Sequence, residues 1–231
     1  MIPVALLVVA KAPVPGLAKT RLAATIGDAA AAAVAAAALL DTLDAVADAP
    51  VAARIVALTG DLAAASHRVE IEERLTGFTV IEQRGEGFAD RLANAHADAS
   101  RAAGGLPVLQ IGMDTPQVTS GLLADCATTL CGADAVLGMA CDGGWWILGV
   151  TDPGMAECLR TVPMSQPDTG VVTLRALGDT GRDVRLVPEL ADVDTFDDIA
   201  VVGRACPPGS RFHQLAIRGE RSDGESSVEG A

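Results

Sequence analysis

Three cations, Lys11, Lys19 and Arg21, stand in the stretch KAPVPGLAKTRL, directly after an apolar run at residues 4–10. The apolar run predicts a buried strand, and the prolines and glycine predict a loop that ends at a helix start near Lys19. Ligands of open α/β sheets bind at the carboxyl ends of strands, and a helix N-terminus there favours anions. The loop is therefore predicted to hold phosphate groups at Lys11, Gly16, Lys19 and Arg21. An ordinary solvated turn is the alternative.

Two standard phosphate-binding motifs are missing from this loop. The Lys19-Thr20 pair has no glycine directly before it, so the pattern GxxxxGK[ST] is not met. No GxGxxG follows the first predicted strand. A P-loop ATPase and a classical dinucleotide enzyme are both disfavoured.

A single carboxylate, Asp114, follows the second predicted central strand in the sequence IGMDTP at residues 111–116. A charge at the tip of a central strand is costly unless something neutralises it. Magnesium would do so, because it takes one or two carboxylates together with substrate phosphates. The sequence therefore predicts a site for Mg²⁺ (or Mn²⁺) at Asp114. The alternative, a cap on the helix that begins near Ser120, places Asp114 several residues too early.

The segment DVDTFDD at residues 192–198 is the second carboxylate cluster. Asp194 or Thr195 can cap the following helix, and Asp197 and Asp198 then complement its dipole. Capping is the stronger interpretation of this segment alone. Together with Asp114, one of its carboxylates could complete the metal site.

Asp142, Gly143, Gly144, Trp145 and Trp146 separate two predicted strands. The glycines allow either close approach of the backbone to a ligand or a tight DG hairpin turn. Adjacent residues of a strand point to opposite faces, so one tryptophan is expected inside and the other at a cleft.

A further loop at residues 83–87, reading QRGEG, leads from a predicted strand into a helix that carries Arg91 and Asn94. Gln83 and Arg91 could recognise a base or a phosphate, and a solvated loop is the equal alternative. The three histidines, His67, His96 and His213, are scattered and are expected to be structural or exposed.

Strand and helix patterns alternate along the chain, which predicts a mainly parallel, Rossmann-like sheet with helices on both faces. The predicted strands are Val4–Ala10, Arg54–Leu58, Phe78–Glu82, Pro107–Ile111, Ala135–Met139, Trp145–Val150 and Val184–Val187. The predicted helices are Asp28–Ala47 (capped by Asp28), His67–Leu75, Phe88–Ala103, Ser120–Leu130, Val171–Leu177 and Thr195–Arg204. The break at residues 142–144 suggests a local antiparallel excursion. Residues 1–204 are expected to form one domain, and the polar residues 205–231 a mostly disordered tail.

The composition excludes several classes of partner. A net charge of −13 argues against a nucleic-acid or anionic-membrane surface. The Ala-rich run Ala29–Leu40 is too short for a membrane span, and the N-terminus lacks the basic region of a signal peptide. Five cysteines form no CxxC pair, so reduced thiols in a cytoplasmic protein are expected. The apolar Ala-rich helix could support a homodimer or be buried against its own sheet.

The motifs AKTRL, GxDxP, DGGxxxLG and DVDTxxDI, in this order, resemble the nucleotide-diphospho-sugar transferase (GT-A) superfamily. The resemblance covers residues 2–204. It is strongest to small bacterial proteins described as glycosyltransferase-like, relatives of phospholactate guanylyltransferase and molybdenum-cofactor guanylyltransferase. Two departures stand out: the first loop lacks the GxGxRM pattern of pyrophosphorylases, and Asp114 stands alone rather than in a DxD.

The resemblance implies a GT-A-like three-layer α/β/α sandwich and a magnesium-dependent transferase. Lys19 and Arg21, with Lys11 nearby, would contact nucleotide phosphates, and Asp114 and Asp194 would hold the metal. Residues 142–145 would face a small-molecule acceptor. The preferred activity is transfer of a nucleoside monophosphate from a nucleoside triphosphate, with Lys19, Arg21 and Asp114 as the catalytic residues. Glycosyl transfer from a nucleotide sugar and a non-catalytic nucleotide-binding module are the alternatives.

Overall fold

The fold is a seven-stranded sheet with helices on both faces, described for residues 1–179 and 181–225 in a computed structural model. The strands are β1 (Ile2–Lys11), β2 (Val51–Thr59), β3 (Thr79–Glu82), β4 (Val108–Ile111), β5 (Ala135–Ala140), β6 (Trp145–Val150) and β7 (Val184–Leu190). The helices are α1 (Thr20–Ile26), α2 (Asp28–Asp48), α3 (Arg68–Leu75), α4 (Phe88–Ala102), α5 (Ser120–Leu130), α6 (Thr169–Gly178), α7 (Phe196–Ala205) and α8 (Arg211–Glu225), with 3-10 helices at Leu62–Ala64 and Pro153–Thr161. Every predicted strand and helix is present, with ends that differ by a few residues.

The strands lie in the order β3-β2-β1-β4-β6-β5-β7. All neighbours are parallel except β6, which runs antiparallel to both β4 and β5. The predicted parallel sheet and its antiparallel excursion are thus confirmed. Because β5 runs parallel to the central strands, its turn into β6 lies at the same edge as the carboxyl ends of β1 and β4. That edge collects the predicted site residues.

Alternation along β1 divides the core between two layers of helices. Leu6 and Val8 belong to an apolar cluster with residues of α2, α3 and α5. Leu7 and Val9 point the other way and pack with residues of α4, α6 and the 3-10 helix Pro153–Thr161. Seven consecutive residues of β1 are buried, as expected for a parallel strand covered on both faces.

Helix α2 is alanine-rich because it is buried on two sides. One side packs on the sheet through Leu39 and Leu43. The other packs against α7 and α8, where Val34 and Ala38 join a third apolar cluster around Phe212. By length and composition α2 could cross a membrane, yet 72% of its apolar window is buried inside the molecule. The apolar face that could have supported a dimer is thus covered largely by the chain's own sheet and C-terminal helices.

The expectation of a disordered tail from residue 205 is wrong for the part that packs on α2. Helix α8 begins at Arg211, and the side chain of Phe212 is fully buried. Asp41 of α2 accepts hydrogen bonds from the backbone N–H groups of Arg211 (3.1 Å) and Phe212 (2.8 Å), and thereby caps the helix. The segment is polar overall, so its composition did not indicate that Phe212 is buried or that Asp41 caps the helix. Residues 226–231 of the predicted tail lie outside the described residues.

The predicted cap of α2 is also wrong. Gly27 occupies the N-cap position, and Asp28 is the first helical residue, without a side-chain cap. Gly27 ends α1 and starts α2 at once, with a φ of 84° that glycine adopts without strain. The Asp28 carboxylate still lies in the first turn, where the helix dipole favours it.

Candidate functional site

A cavity of about 1060 Å³ opens at the carboxyl edge of the sheet. Its walls come from the segments at the ends of β1, β4 and β7, the β5–β6 turn, the start of α4 and the segment before α6. The predicted site residues that line it are Lys11, Lys19, Arg21, Gln83, Arg91, Asp114, Asp142, Gly144, Trp145 and Asp194. Of the predicted set, Gly16 and Gly143 are not part of the lining.

The first loop holds its three cations in different ways. Lys11 ends β1, and its Nζ donates to the carbonyl of Leu17 at 2.7 Å. Lys19 has φ 49° and ψ 50°, a left-handed conformation that costs a non-glycine residue of order 1 kcal/mol. Arg21 lies in the first turn of α1 with its side chain 73% exposed. The exposed cations of this loop are therefore Lys11 and Arg21.

The ammonium of Lys19 lies between the two carboxylates that the sequence assigned to a metal. Nζ is 2.7 Å from Asp114 Oδ1 and 3.5 Å from Asp194 Oδ1, and it also donates to the carbonyl of Val193. Arg21 Nη1 is 3.0 Å from the second oxygen of Asp194. Lys19 therefore binds protein carboxylates here, whereas the sequence assigned it to phosphate.

The charge state of Lys19 follows from these contacts. Burial by itself lowers the pKa of the Lys19 ammonium, but the adjoining carboxylates, Asp114 first and then Asp194, raise it above its usual value. Lys19 therefore stays protonated. It neutralises part of an acidic site in a chain that is strongly acidic overall.

Asp192 is a further carboxylate of the cleft, which the sequence placed in the 192–198 cluster without choosing it as the metal ligand. Burial, then the negative charge of Asp142 and of Asp194, raises its pKa to about 6. The sequence signal for Asp192 was the pattern Asp-Val-Asp at residues 192–194. Val193 is buried in the third apolar cluster, so the aspartates on either side of it point away from that cluster. The aspartates that line the cleft thus outnumber the lysines and arginines that line it.

The helix-capping alternative at residues 192–198 is settled by hydrogen bonds. Thr195 is the N-cap of α7, and Asp198 closes a capping box by accepting from the Thr195 backbone N–H at 2.6 Å. Asp194 precedes the cap and is left to face the cleft.

A divalent metal fits this donor set. Asp114 and Asp194 both reach one point, now occupied by the ammonium of Lys19, with their side chains 40% and 38% exposed. Two carboxylates plus substrate phosphates match the usual magnesium site. Within residues 1–179 and 181–225, no three or more histidine, cysteine, aspartate or glutamate side chains group to hold an ion by themselves. Phosphates and water would therefore supply the other ligands.

The glycines of the β5–β6 turn seat a neighbouring segment. A Cβ on Gly143, whose φ is 90°, would overlap the carbonyl oxygen of Pro167. A Cβ on Gly170 would likewise lie too close to the carbonyl oxygen of Gly144, and the Gly170 N–H donates to the Gly143 carbonyl at 2.8 Å. The turn therefore holds residues 163–170 in place as a wall of the cleft. Its backbone forms the tight hairpin turn that was one of the two interpretations of the sequence.

The two adjacent tryptophans point to opposite faces, as predicted. Trp146 is buried, and its indole N–H donates to the carbonyl of Pro188 at 2.9 Å. Trp145 is half-buried and lines the cleft. Asp142, in the turn before Trp145, stabilises that turn by accepting a hydrogen bond from the Gly144 N–H at 2.7 Å.

Gln83 fastens two strand ends together. Its Nε2 donates to the carbonyls of Ala10 and Ala57, each at 2.8 Å. Gln83 therefore links the ends of β1 and β2 at the edge of the cleft. None of the three histidines lines the cleft. His67 is exposed, His213 bonds the Gly203 carbonyl, and His96, a residue of α4, is fully buried.

The protein-family comparison gives one match. The family described as "Uncharacterized protein conserved in bacteria (DUF2064)" matches residues 42–166. The matched segment contains Asp114 and the β5–β6 turn. No curated protein matches the chain.

Several solved structures share the fold. A candidate nucleotide-diphospho-sugar transferase from Desulfovibrio desulfuricans G20 is 24% identical, with a TM-score of 0.83 and 96% of both chains covered. A cytidylyltransferase from Leptospira borgpetersenii serovar Hardjo-bovis (strain JB197) is 14% identical, with a TM-score of 0.57, covering 97% of this chain and 96% of that one. A CMP:2-keto-3-deoxy-manno-octonic acid synthetase complexed with CTP is 12% identical, with a TM-score of 0.54, covering 86% and 96%. The chain thus has the GT-A-like fold of nucleotide-sugar transferases and nucleotidyltransferases, as its sequence motifs predicted.

Proposed function

The chain belongs to the DUF2064 family, and we propose that it is a magnesium-dependent transferase that takes its donor group from a nucleotide. The observation that carries the proposal is the convergence of Asp114 and Asp194 on one point, with the exposed cations Lys11 and Arg21 in the same cleft. Carboxylates beside cations suit a metal-bound phosphate chain. The fold adds support, because it is that of proteins named for such reactions.

The preferred reaction is nucleotidyl transfer. An acceptor oxygen forms a bond to the α-phosphorus of a nucleoside triphosphate, and the bond from that phosphorus to the bridging oxygen breaks to release pyrophosphate. The chain needs no nucleophilic side chain for this step, because positioning and neutralisation of charge carry the catalysis. In this proposal Arg21 and Lys11 neutralise the leaving phosphates. The Lys19 ammonium, which lies between Asp114 and Asp194 in this structure, moves aside toward those phosphates when the metal binds.

Asp114 and Asp194 would hold the metal. A bound Mg²⁺ supplies charge neutralisation for the phosphates and fixes their orientation. The acceptor is a small phosphorylated or hydroxylated molecule, placed beside the β5–β6 turn at Asp142, Gly144 and Trp145. The wall formed by residues 163–170 then covers it from the side of α6.

Glycosyl transfer from a nucleotide sugar is the second candidate. The high TM-score to the candidate nucleotide-diphospho-sugar transferase favours it. The same carboxylates and cations would then hold a diphosphate, and the acceptor would attack the anomeric carbon. A binding module without catalysis is the third candidate, and the convergence of cations and carboxylates in one cleft argues against it.

Thermal unfolding with nucleoside triphosphates and sugar nucleotides, each with and without Mg²⁺, tests the proposal first. We expect stabilisation that requires Mg²⁺. If no nucleotide of either kind stabilises the protein, the transferase proposal is wrong. Released pyrophosphate would support nucleotidyl transfer, whereas a nucleoside diphosphate released from a sugar nucleotide would replace it by glycosyl transfer.

Asp114→Asn tests the metal assignment. We expect this variant to lose Mg²⁺-dependent turnover by at least about a hundredfold, since metal-held charge stabilisation is worth several kcal/mol. Its far-UV circular dichroism should match that of the wild type. Asp125→Asn, an exposed aspartate on α5 outside the cleft, is the matched control and should be fully active. Unchanged turnover in Asp114→Asn would remove Asp114 from the metal site.

A further inference from the structure

Gln110 is a buried amide without a partner for its oxygen. Its side chain lies in β4, the residue is 1% exposed, and Oε1 has no hydrogen-bond partner. A buried acceptor without a donor weakens a fold, and most such groups in proteins are satisfied. Gln110 also forms part of the cleft lining. Oε1 is itself closed to solvent, so a donor in the cleft reaches this oxygen once the terminal amide of Gln110 turns toward the cleft.

The register of the sheet fixes the face on which Gln110 lies. Gln110 is opposite Leu7 of β1 and Leu148 of β6. Residues opposite one another on neighbouring strands point to the same face. Leu7 and Leu148 belong to the apolar cluster that includes α4. Gln110 therefore points to the α4 side of the sheet, below the cleft.

The first turn of α4 provides a second unpartnered polar atom on that side. The Nε of Arg91 is buried without a hydrogen-bond partner, and Arg91 lines the cleft. Its guanidinium carbon lies 5.9 Å from the ring centroid of Phe88, which is 47% exposed. One buried acceptor and one buried donor thus belong to the lining of the same cleft, and the exposed ring of Phe88 lies beside the donor.

A nucleobase could provide the hydrogen-bond partners that Gln110 and Arg91 lack. An edge of a base offers N–H donors beside ring-nitrogen or carbonyl acceptors, and its face stacks on aromatic rings and guanidinium planes. We infer that Gln110 determines base specificity, by accepting a hydrogen bond from the base of the nucleotide while Arg91 and Phe88 flank it. This inference rests on the proposed function, because the phosphates of the same nucleotide bind at Lys11 and Arg21.

Gln110→Met tests the inference, because methionine matches glutamine in length and has no strong hydrogen-bonding group. The measurement is calorimetric titration with ATP, GTP, CTP and UTP in the presence of Mg²⁺. Inorganic tripolyphosphate is the probe that has phosphates and no base. We expect the wild type to prefer one base by about tenfold or more, which corresponds to one lost hydrogen bond. In Gln110→Met the preference should fall below about threefold, with tripolyphosphate binding unchanged.

Stability provides an independent readout. Removal of an unpaired buried acceptor should raise the Tm of Gln110→Met by about 2–4 °C. His96→Leu is the matched control, because His96 is also fully buried with both ring nitrogens unpartnered, yet lies outside the cleft lining. It should raise the Tm similarly and leave the base preference intact. Gln110→Asn, which withdraws the amide by one methylene, replaces Gln110→Met if that variant does not fold, with the same expected loss of preference.

Each other outcome overturns the inference. A base preference that survives in Gln110→Met means that Gln110 does not determine base specificity. Equal weakening of nucleotides and tripolyphosphate means that Gln110 acts on the phosphate site. A wild type that binds tripolyphosphate but shows no base preference overturns this inference and leaves the proposed function standing. If neither nucleotides nor tripolyphosphate bind the wild type, the proposed function fails as well.

Discussion

Lys19 is the residue on which the charge pairs of the site converge. Its side chain is 8% exposed and contacts Asp114, Asp194 and the carbonyl of Val193. The left-handed backbone at Lys19 places Nζ at this point, although the sequence offered three equivalent-looking cations. The position of a lysine in a motif therefore did not decide whether it meets phosphate or carboxylate.

Lys19→Met should destabilise the protein by about 1–3 kcal/mol at pH 7, because two carboxylates lose a charged hydrogen-bond partner. Since the folded-state pKa of Lys19 is raised, its contribution is complete below the ordinary lysine pKa of 10.5 and is lost as the pH rises through the folded value. Urea unfolding at pH 7 and above pH 10.5 measures both effects. Lys11→Met, which removes an exposed cation bonded to one carbonyl, should change the unfolding free energy little. An equal loss in the two variants would contradict the assignment.

His96 should make the protein sensitive to mild acid. Burial lowers its pKa to about 3, well below the ordinary 6.5. A lowered folded-state pKa means that the unfolded chain binds the proton first, so stability is complete above pH 6.5 and falls by about 1.4 kcal/mol per pH unit as the pH drops toward 3. Between pH 7 and pH 5 the wild type should lose about 2 kcal/mol more than His96→Leu. Parallel pH profiles for the two proteins would show that His96 titrates normally.

Among the elements, the β5–β6 hairpin and the segment that precedes α6 depend on each other. Gly143 combines a φ of 90° with direct contact to Pro167, and Gly170 lies against the same turn. The sequence offered two interpretations of the glycines, close approach to a ligand or a tight turn, and the structure shows a turn that lies against another segment of the chain. The sequence could not show that the approaching group is the chain itself, because Pro167 is distant in sequence.

Gly143→Ala should cost about 3 kcal/mol or more, from left-handed strain of 1–2 kcal/mol plus the overlap with Pro167. Gly209→Ala is the matched control, since Gly209 has a φ of 89° and nothing within 4 Å of a Cβ. That variant should lose only the strain, about 1 kcal/mol. Denaturant unfolding of the two variants separates strain from overlap. Similar losses would mean that residues 163–170 yield to the added methyl group.

At the scale of the whole molecule, three apolar clusters form the core of the part of the chain that the structure describes, and the third includes residues next to the site. Leu22 of α1 and Val193, which precedes Asp194, pack in this cluster with Phe212 of α8. The loop that carries Lys19 and the segment that carries Asp194 are far apart in sequence, yet both are anchored in this one apolar cluster. The C-terminal helix, which composition alone had assigned to a disordered tail, contributes its central side chain.

Phe212→Ala should therefore lower the unfolding free energy by about 3–5 kcal/mol, as expected for a fully buried phenylalanine. Phe196→Ala, in α7 with 43% of the residue exposed, should cost under about 1 kcal/mol. Amide hydrogen exchange adds a local test, because the Val193 N–H bonds the Asp114 carbonyl at 3.0 Å. Faster exchange of Val193 in Phe212→Ala alone would show that the cluster supports the site. Unchanged exchange would confine the effect of Phe212 to global stability.

The sequence by itself determined the seven strands, most of the helices, the mainly parallel sheet with its antiparallel strand and the edge at which the polar residues meet. These features follow from local periodicity and from the rule that parallel strands align their carboxyl ends. Only the tertiary structure decided which charges pair, as for Lys19 with Asp114 and Asp194. It also revealed Asp192 and Gln110 in the cleft and the burial of Phe212. Such contacts join residues far apart in sequence, and their energies depend on distance and burial, which no local pattern contains.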